Sequence, residues 1–195
     1  MMGERKITQH GFTLIELLAA IGISSVVLLA ITTTFISQTR SYDAQEAINA
    51  MQQSARASMD MITREVRMAG YNTNDTFNFD GIEYHASQLR IRANLNGDTD
   101  VSDANEYIYY EYDATNDRID RTTGGTTEPL VDFIDAFTFS FLDEDGNPTT
   151  TSANVRQIQI SITARTSKPD PNYASNGGFR TYTLTSMVTP RNLAY

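Results

Sequence analysis

Gly11-Phe12-Thr13-Leu14-Ile15-Glu16 opens the stretch that decides the fold. From Phe12 to Ile36 the chain is apolar for 25 residues and carries one charge, Glu16. As a helix rising about 1.5 Å per residue, that run spans roughly 37 Å, enough to cross a hydrocarbon layer about 30 Å thick. Ahead of it lies a short polar segment, MMGERKITQHG over Met1 to Gly11, with Arg5 and Lys6. Positive charge on this side predicts that the segment stays cytoplasmic and that the C-terminal body is exported.

Two plain readings of this N-terminus compete. A secretory signal peptide has a shorter apolar region ending at a small-residue cleavage site. Ala19-Ala20 and Ala30 supply small residues, but the run continues well past the first pair. A simple signal anchor matches the length and leaves Glu16 unexplained. A carboxylate inside an apolar span is costly and calls for a partner, and the span itself contains no cation.

The sequence from Gly11 to Glu16 resembles the class III signal of type IV prepilins and type II secretion pseudopilins. In that family an aspartic prepilin peptidase cuts after the glycine on the cytoplasmic side and methylates the new N-terminal phenylalanine. The resemblance implies that Gly11 precedes the cut, that Phe12 is N-methylated, and that Glu16 guides assembly as the fifth mature residue. A glycine leaves the scissile bond accessible, and a cut ahead of the apolar run keeps that run as an anchor. The amine freed at Phe12 then supplies the cation Glu16 needs, in its own subunit or a neighbour's. Basic leader, Gly-Phe junction, glutamate at the fifth position and long apolar run occur here together.

Beyond Ser37 the helix changes character. Ala44, Ile48, Met51, Ala55, Met59, Ile62, Val66 and Ala69 recur every three or four residues and form one apolar stripe. Arg40, Asp43, Glu46, Arg56 and Asp60 fall off it, and Asp60 with Arg64 is spaced to pair. No proline interrupts Phe12 to Ala69, and Gly70 is placed to stop the helix. Thr32-Thr33-Thr34 is the nearest irregularity in the apolar half.

After Gly70 the period becomes two. Leu89, Ile91 and Ala93 alternate with Arg90 and Arg92, and the stretch from Tyr107 to Tyr112 reads as strand. Phe137, Phe139 and Phe141 alternate, as do Ile158, Ile160, Ile162 and Ala164, and Tyr182, Leu184 and Val188 suggest a last strand. Asn116-Asp117, Gly124-Gly125, Asp145-Gly146 and Asn176-Gly177 mark turns. The expected class is α+β. A long N-terminal helix, transmembrane in its first half, packs its second half on an antiparallel β-sheet, the layout that the resemblance also implies for a pilin fold. The expected division is a leader over 1–11, a membrane or filament-core segment over 12–36, an amphipathic helix over 37–70 and a sheet body over 71–195.

FTFSFLDEDGN over Phe137 to Asn147, RQIQISITA from Arg156 and VTPRNL over Val188 to Leu193 resemble PilW-type minor pilins, relatives of the J-type minor pseudopilins. The resemblance implies a minor pilin in the assembly or tip and priming complex of a type IV pilus. The alternatives are a minor pseudopilin of a type II secretion system, or a filament-displayed adhesin or calcium-binding module. An abundant major pilin fits less well, since the body is large and lacks the C-terminal cysteine pair that many of them use. Implied partners are the prepilin peptidase, other pilins or pseudopilins through the N-terminal helix, an inner-membrane assembly platform and membrane lipid. The implied location is the bacterial inner membrane, as a single-pass prepilin, and then the pilus or pseudopilus.

One further segment carries possible chemistry. Between two expected strands, the loop from Asn94 to Glu106 places oxygen-bearing side chains at alternate positions, as calcium requires. Asn94, Asn96 and Asp98 meet the spacing, with Asp100 and Glu106 in reach. Departures from the usual calcium loop are an Asn first, Thr99 at the turn and a closing acid one place late. A solvated hairpin loop uses the same residue types. The acidic cluster Asp143-Glu144-Asp145-Gly146 reads as a turn.

Composition narrows the function classes. The 195 residues include 24 acidic and 15 basic ones, a formal net charge of -9, which argues against a nucleic-acid surface. There is no cysteine, hence no disulfide, thiolate metal site or cysteine nucleophile. His10 lies in the leader and His85 stands apart, no nucleophile elbow or phosphate-cradling loop occurs, and an enzyme is not expected.

Overall fold

The computed structural model describes residues 11–73 and 77–193, so the expected leader lies outside the described residues except for Gly11. The chain divides into two units, Met1–Gln45 and Glu46–Tyr195, and helix α1 (Leu14–Met68) contributes to both.

In the first unit every described side chain through Asp43 is exposed, including Phe12, Leu14, Ile15 and Phe35. Such a surface is stable only in lipid or against other protein. Five of its hydroxyls donate to carbonyls of the preceding turn, those of Ser25, Thr32, Thr33, Thr34 and Thr39. Ser25 donates to the Ile21 carbonyl at 2.8 Å, Thr32 to Leu28 at 2.8 Å, and Thr33 and Thr34 both to Ala30 at 2.9 Å. Back-bonding of this kind hides polar groups from an apolar solvent. The helix therefore continues through the threonine triplet without a break.

In the second unit the helical stripe is buried from Met51 onward: Met51, Ala55, Met59, Ile62, Val66 and Ala69 are all core residues, while Ile48 is half-buried, as is Ala44 near the end of the first unit. Asp60 and Arg64 pair as expected at 2.9 Å, both largely exposed, so the contact adds little. Among the described residues eight strands follow: β1 (Ile82–Glu83), β2 (Gln88–Arg92), β3 (Tyr107–Asp113), β4 (Arg118–Thr123), β5 (Thr126–Asp132), β6 (Ile134–Leu142), β7 (Gln157–Arg165) and β8 (Thr181–Val188).

Helix and antiparallel strands are as expected, but the strands divide into two sheets, β1-β2-β3-β4-β5 and β6-β7-β8. The division falls at one residue. Phe133 separates β5 from β6 with φ +61, a left-handed conformation that turns the chain out of the first ladder. Its carbonyl accepts the Arg165 N–H at 2.8 Å, which starts the second sheet. Both sheets contribute to the core, with Leu89, Tyr110 and Ile119 from one and Ile158, Ile160 and Ile162 from the other fully buried. Each buried aliphatic side chain contributes about 1.5–3 kcal/mol.

The helix ends where glycine permits it. Gly70 has φ +75, and the Tyr71 N–H returns to the Met68 carbonyl at 2.9 Å. The Gly70 N–H then donates to the Arg92 carbonyl at 2.9 Å, and the Arg92 N–H to the Gly81 carbonyl at 2.8 Å. Three segments thus meet backbone to backbone at the helix terminus.

Candidate functional site

At the N-terminus, Gly11, Phe12 and Thr13 precede the helix and are exposed. A Cβ at Gly11 would meet nothing within 4 Å, and Phe12 is 89% exposed. Among the described residues nothing crowds the Gly11–Phe12 peptide bond. Thr13 and Glu16 close a reciprocal cap three residues apart. The Glu16 N–H donates to Thr13 Oγ1 at 3.3 Å, while Glu16 Oε2 accepts the Thr13 N–H at 2.9 Å and the Thr13 hydroxyl at 2.8 Å. This is a capping box, and it satisfies backbone donors that a helix start leaves orphaned. The Thr-x-x-Glu spacing announces it in the sequence, where Glu16 is otherwise read only as half of an ion pair. The cap also holds the carboxylate at the backbone N–H next to the expected new terminus, Phe12.

The loop between β2 and β3 brings some of the expected ligands together and gives others structural tasks. Asn94, fully buried, donates to Asn72 Oδ1 at 3.1 Å and to the Asp98 carbonyl at 2.8 Å, and its Oδ1 accepts the Gly97 N–H at 2.7 Å. Asn96 accepts the Asp98 N–H at 2.9 Å and donates to Asp98 Oδ2 at 2.8 Å and Asp103 Oδ2 at 3.0 Å. Both asparagines brace the loop. The carboxylates of Asp98, Asp100 and Glu106 converge, with one oxygen of each within 4.8 Å of the others. Backbone and hydroxyl hydrogen bonds from Ser102 hold the Asp100 carboxyl below its ordinary range. Asp103, beside the charges of Asp100, Asp98 and Glu106, is raised, by Asp100 above all.

A third cluster joins residues far apart in the sequence. Glu65 lies on the helix face toward the first sheet, where Tyr110 donates its phenol hydrogen to Glu65 Oε2 and Arg121 pairs with Oε1 at 2.9 Å. Burial, then the neighbouring Glu65 charge, pushes the Tyr110 phenol well up, so it stays a donor. The cluster ties the helix to strands β3 and β4. Only the long-range pairing reveals it, since Glu65 looks like any surface glutamate between Arg64 and Val66.

Comparisons with known proteins bear on both ends of this arrangement. The family model described as prepilin peptidase-dependent protein B matches residues 45–189, and the prokaryotic N-terminal methylation motif matches residues 7–32. Among solved structures, a type IV-like pilin from Thermus thermophilus is similar at 13% identity and a TM-score of 0.49, covering 73% of this chain and 98% of that one. No curated protein matches.

Proposed function

As the chain belongs to the prepilin peptidase-dependent protein B family and begins with a prepilin methylation motif, we propose that it is a minor pilin acting in the assembly or priming complex of a type IV pilus. The observation that carries this reading is the contrast within one helix. The described residues from Phe12 to Ile36 are exposed along the whole run, whereas farther along the same helix the stripe Met51, Ala55, Met59, Ile62 and Val66 is buried in the core of the chain's own body. The first part needs lipid before assembly and neighbouring subunits afterwards, while the second holds the body.

In this reading the peptidase cuts between Gly11 and Phe12 and methylates Phe12. The product is anchored in the inner membrane with its body exported, and an assembly platform extracts it into the filament, where the helix packs among other pilins. A minor rather than major role is supported by the size of the body and by the absence of cysteine from the sequence.

Quantitative mass spectrometry of sheared filaments tests the role. The expected result is this chain at a level far below the major pilin, and few surface filaments when its gene is deleted. Normal filament numbers after deletion would contradict a priming role. If protein secretion fails instead, the subunit serves a pseudopilus.

A further inference from the structure

We propose that Asp98, Asp100 and the buried Glu106 form a calcium site in the loop between β2 and β3. Three acidic side chains on a surface loop prove nothing by themselves, and it is Glu106 that distinguishes this cluster. The residue is only 2% exposed. Its Oε1 accepts the N–H groups of Leu95 at 2.6 Å and Asn96 at 3.0 Å, which fixes the carboxylate in place. Its Oε2 is buried and has no hydrogen-bond partner among the described residues. A buried, unpartnered carboxylate oxygen is costly, and the cost falls when a cation binds it.

The other two carboxylates are positioned in the same manner. Asp98 Oδ1 accepts the Asp100 N–H at 2.9 Å, and Asp100 Oδ1 accepts the Ser102 N–H at 2.8 Å. One oxygen from each of the three acids falls within 4.8 Å of the others. Oxygens about 2.3–2.6 Å from a shared calcium ion fall within such separations, and an irregular loop suits calcium's flexible geometry better than the near-ideal octahedron that magnesium demands. An all-oxygen set without His or Cys also suits a hard cation rather than zinc. Asp98 and Asp100 are exposed, which leaves room for water to complete the coordination. The ion would tie the outer loop to Glu106, next to the first residue of β3, and so brace the first sheet. This site does not depend on which filament the subunit joins.

The test uses the full-length protein in neutral detergent, stripped with a chelator and titrated with calcium or magnesium. Calorimetry should detect one calcium ion per chain with a Kd of about 10⁻⁴–10⁻³ M, in the range of extracellular modules. At about tenfold excess over that Kd the Tm should rise by about 3–5 °C. Magnesium at equal concentration should give less than half of that rise. Glu106→Gln keeps an acceptor for Leu95 and Asn96 but removes the charge, and should abolish the calcium response. Asp100→Asn, at an exposed position, should raise the Kd about tenfold with little change in the stripped protein's Tm. The second variant remains readable if the first fails to fold. No response of the parent at about 10 mM calcium, an equal response to magnesium, or parental affinity in Asp100→Asn overturns the proposal.

Discussion

Glu16→Ala is expected to leave the chain membrane-inserted and cleaved, while its level in sheared filaments falls about tenfold or more, the effect of losing one charge-assisted contact. Insertion persists because the change removes a charge from an apolar span. Cleavage persists because Gly11 and Phe12 are untouched. Docking suffers because the amine freed at Phe12 loses its intramembrane counter-charge. The capping box complicates this variant, since alanine also removes the acceptor for the Thr13 N–H and hydroxyl. Glu16→Gln separates the two roles. Glutamine serves a capping box nearly as well as glutamate but carries no charge. The ion-pair account predicts that Glu16→Gln incorporates as poorly as Glu16→Ala. If glutamine restores normal incorporation, the cap is what matters and the pairing account fails.

Gly81→Ala is expected to destabilise the body by about 3 kcal/mol, which lowers the Tm by about 10 °C for a chain of this size. A Cβ at Gly81 would lie 2.2 Å from the backbone nitrogen of Gly70, 2.5 Å from its Cα and 2.7 Å from Leu193 Cδ2. Leu193 could rotate away, but the backbone of Gly70 cannot. It is tied by its N–H to the Arg92 carbonyl, and Arg92 is tied in turn to Gly81. Relief therefore requires separating the helix terminus from β2. Gly125→Ala is the control. That glycine has φ +75 in the β4–β5 turn, with open space around its missing Cβ, so only the conformational cost of about 1 kcal/mol applies. Thermal unfolding of the two variants beside the parent decides the matter. Equal losses at the two sites would show that the close approach at Gly81 does not control stability.

Much of this molecule could be read from local pattern. The apolar stripe from Met51 to Ala69 repeats at the helical period, and Gly70 stands where a left-handed residue ends the helix. β2, β3, β6, β7 and β8 were legible because apolar residues alternate in each. β4 and β5 were not. RIDRTT and TTEPLVD bury one or two aliphatic side chains and otherwise polar groups, including Asp120 and Thr122, so no apolar alternation marks them. The Gly124-Gly125 turn was visible without the strands it joins. The split into two sheets rests on the left-handed Phe133, a residue that no turn propensity singles out.

The sites divide in the same way. Gly11, Phe12 and Glu16 are adjacent in sequence, and their spacing carries their meaning. In the 94–106 loop, spacing nominated Asn94 and Asn96 equally with the acids. Only the fold reveals that both amides spend their hydrogen bonds on the loop itself. Glu106 is the opposite case, because its burial and its Oε2 without a partner among the described residues arise where the chain just beyond β2 folds over it, with Ala93 bonded to its carbonyl and Leu95 and Asn96 to its Oε1. Glu65, Tyr110 and Arg121 are far apart in the chain and meet only through helix-on-sheet packing.

The central claim is that the apolar helix begins a processed prepilin, and the mass of the N-terminal peptide tests it most directly. Protein extracted from membranes of cells that contain a prepilin peptidase should begin with N-methylated Phe12 and lack Met1 to Gly11. The same chain from cells without the peptidase should retain the leader. An intact Met1 start in peptidase-bearing cells, or a terminus beyond Ala30, would contradict the account.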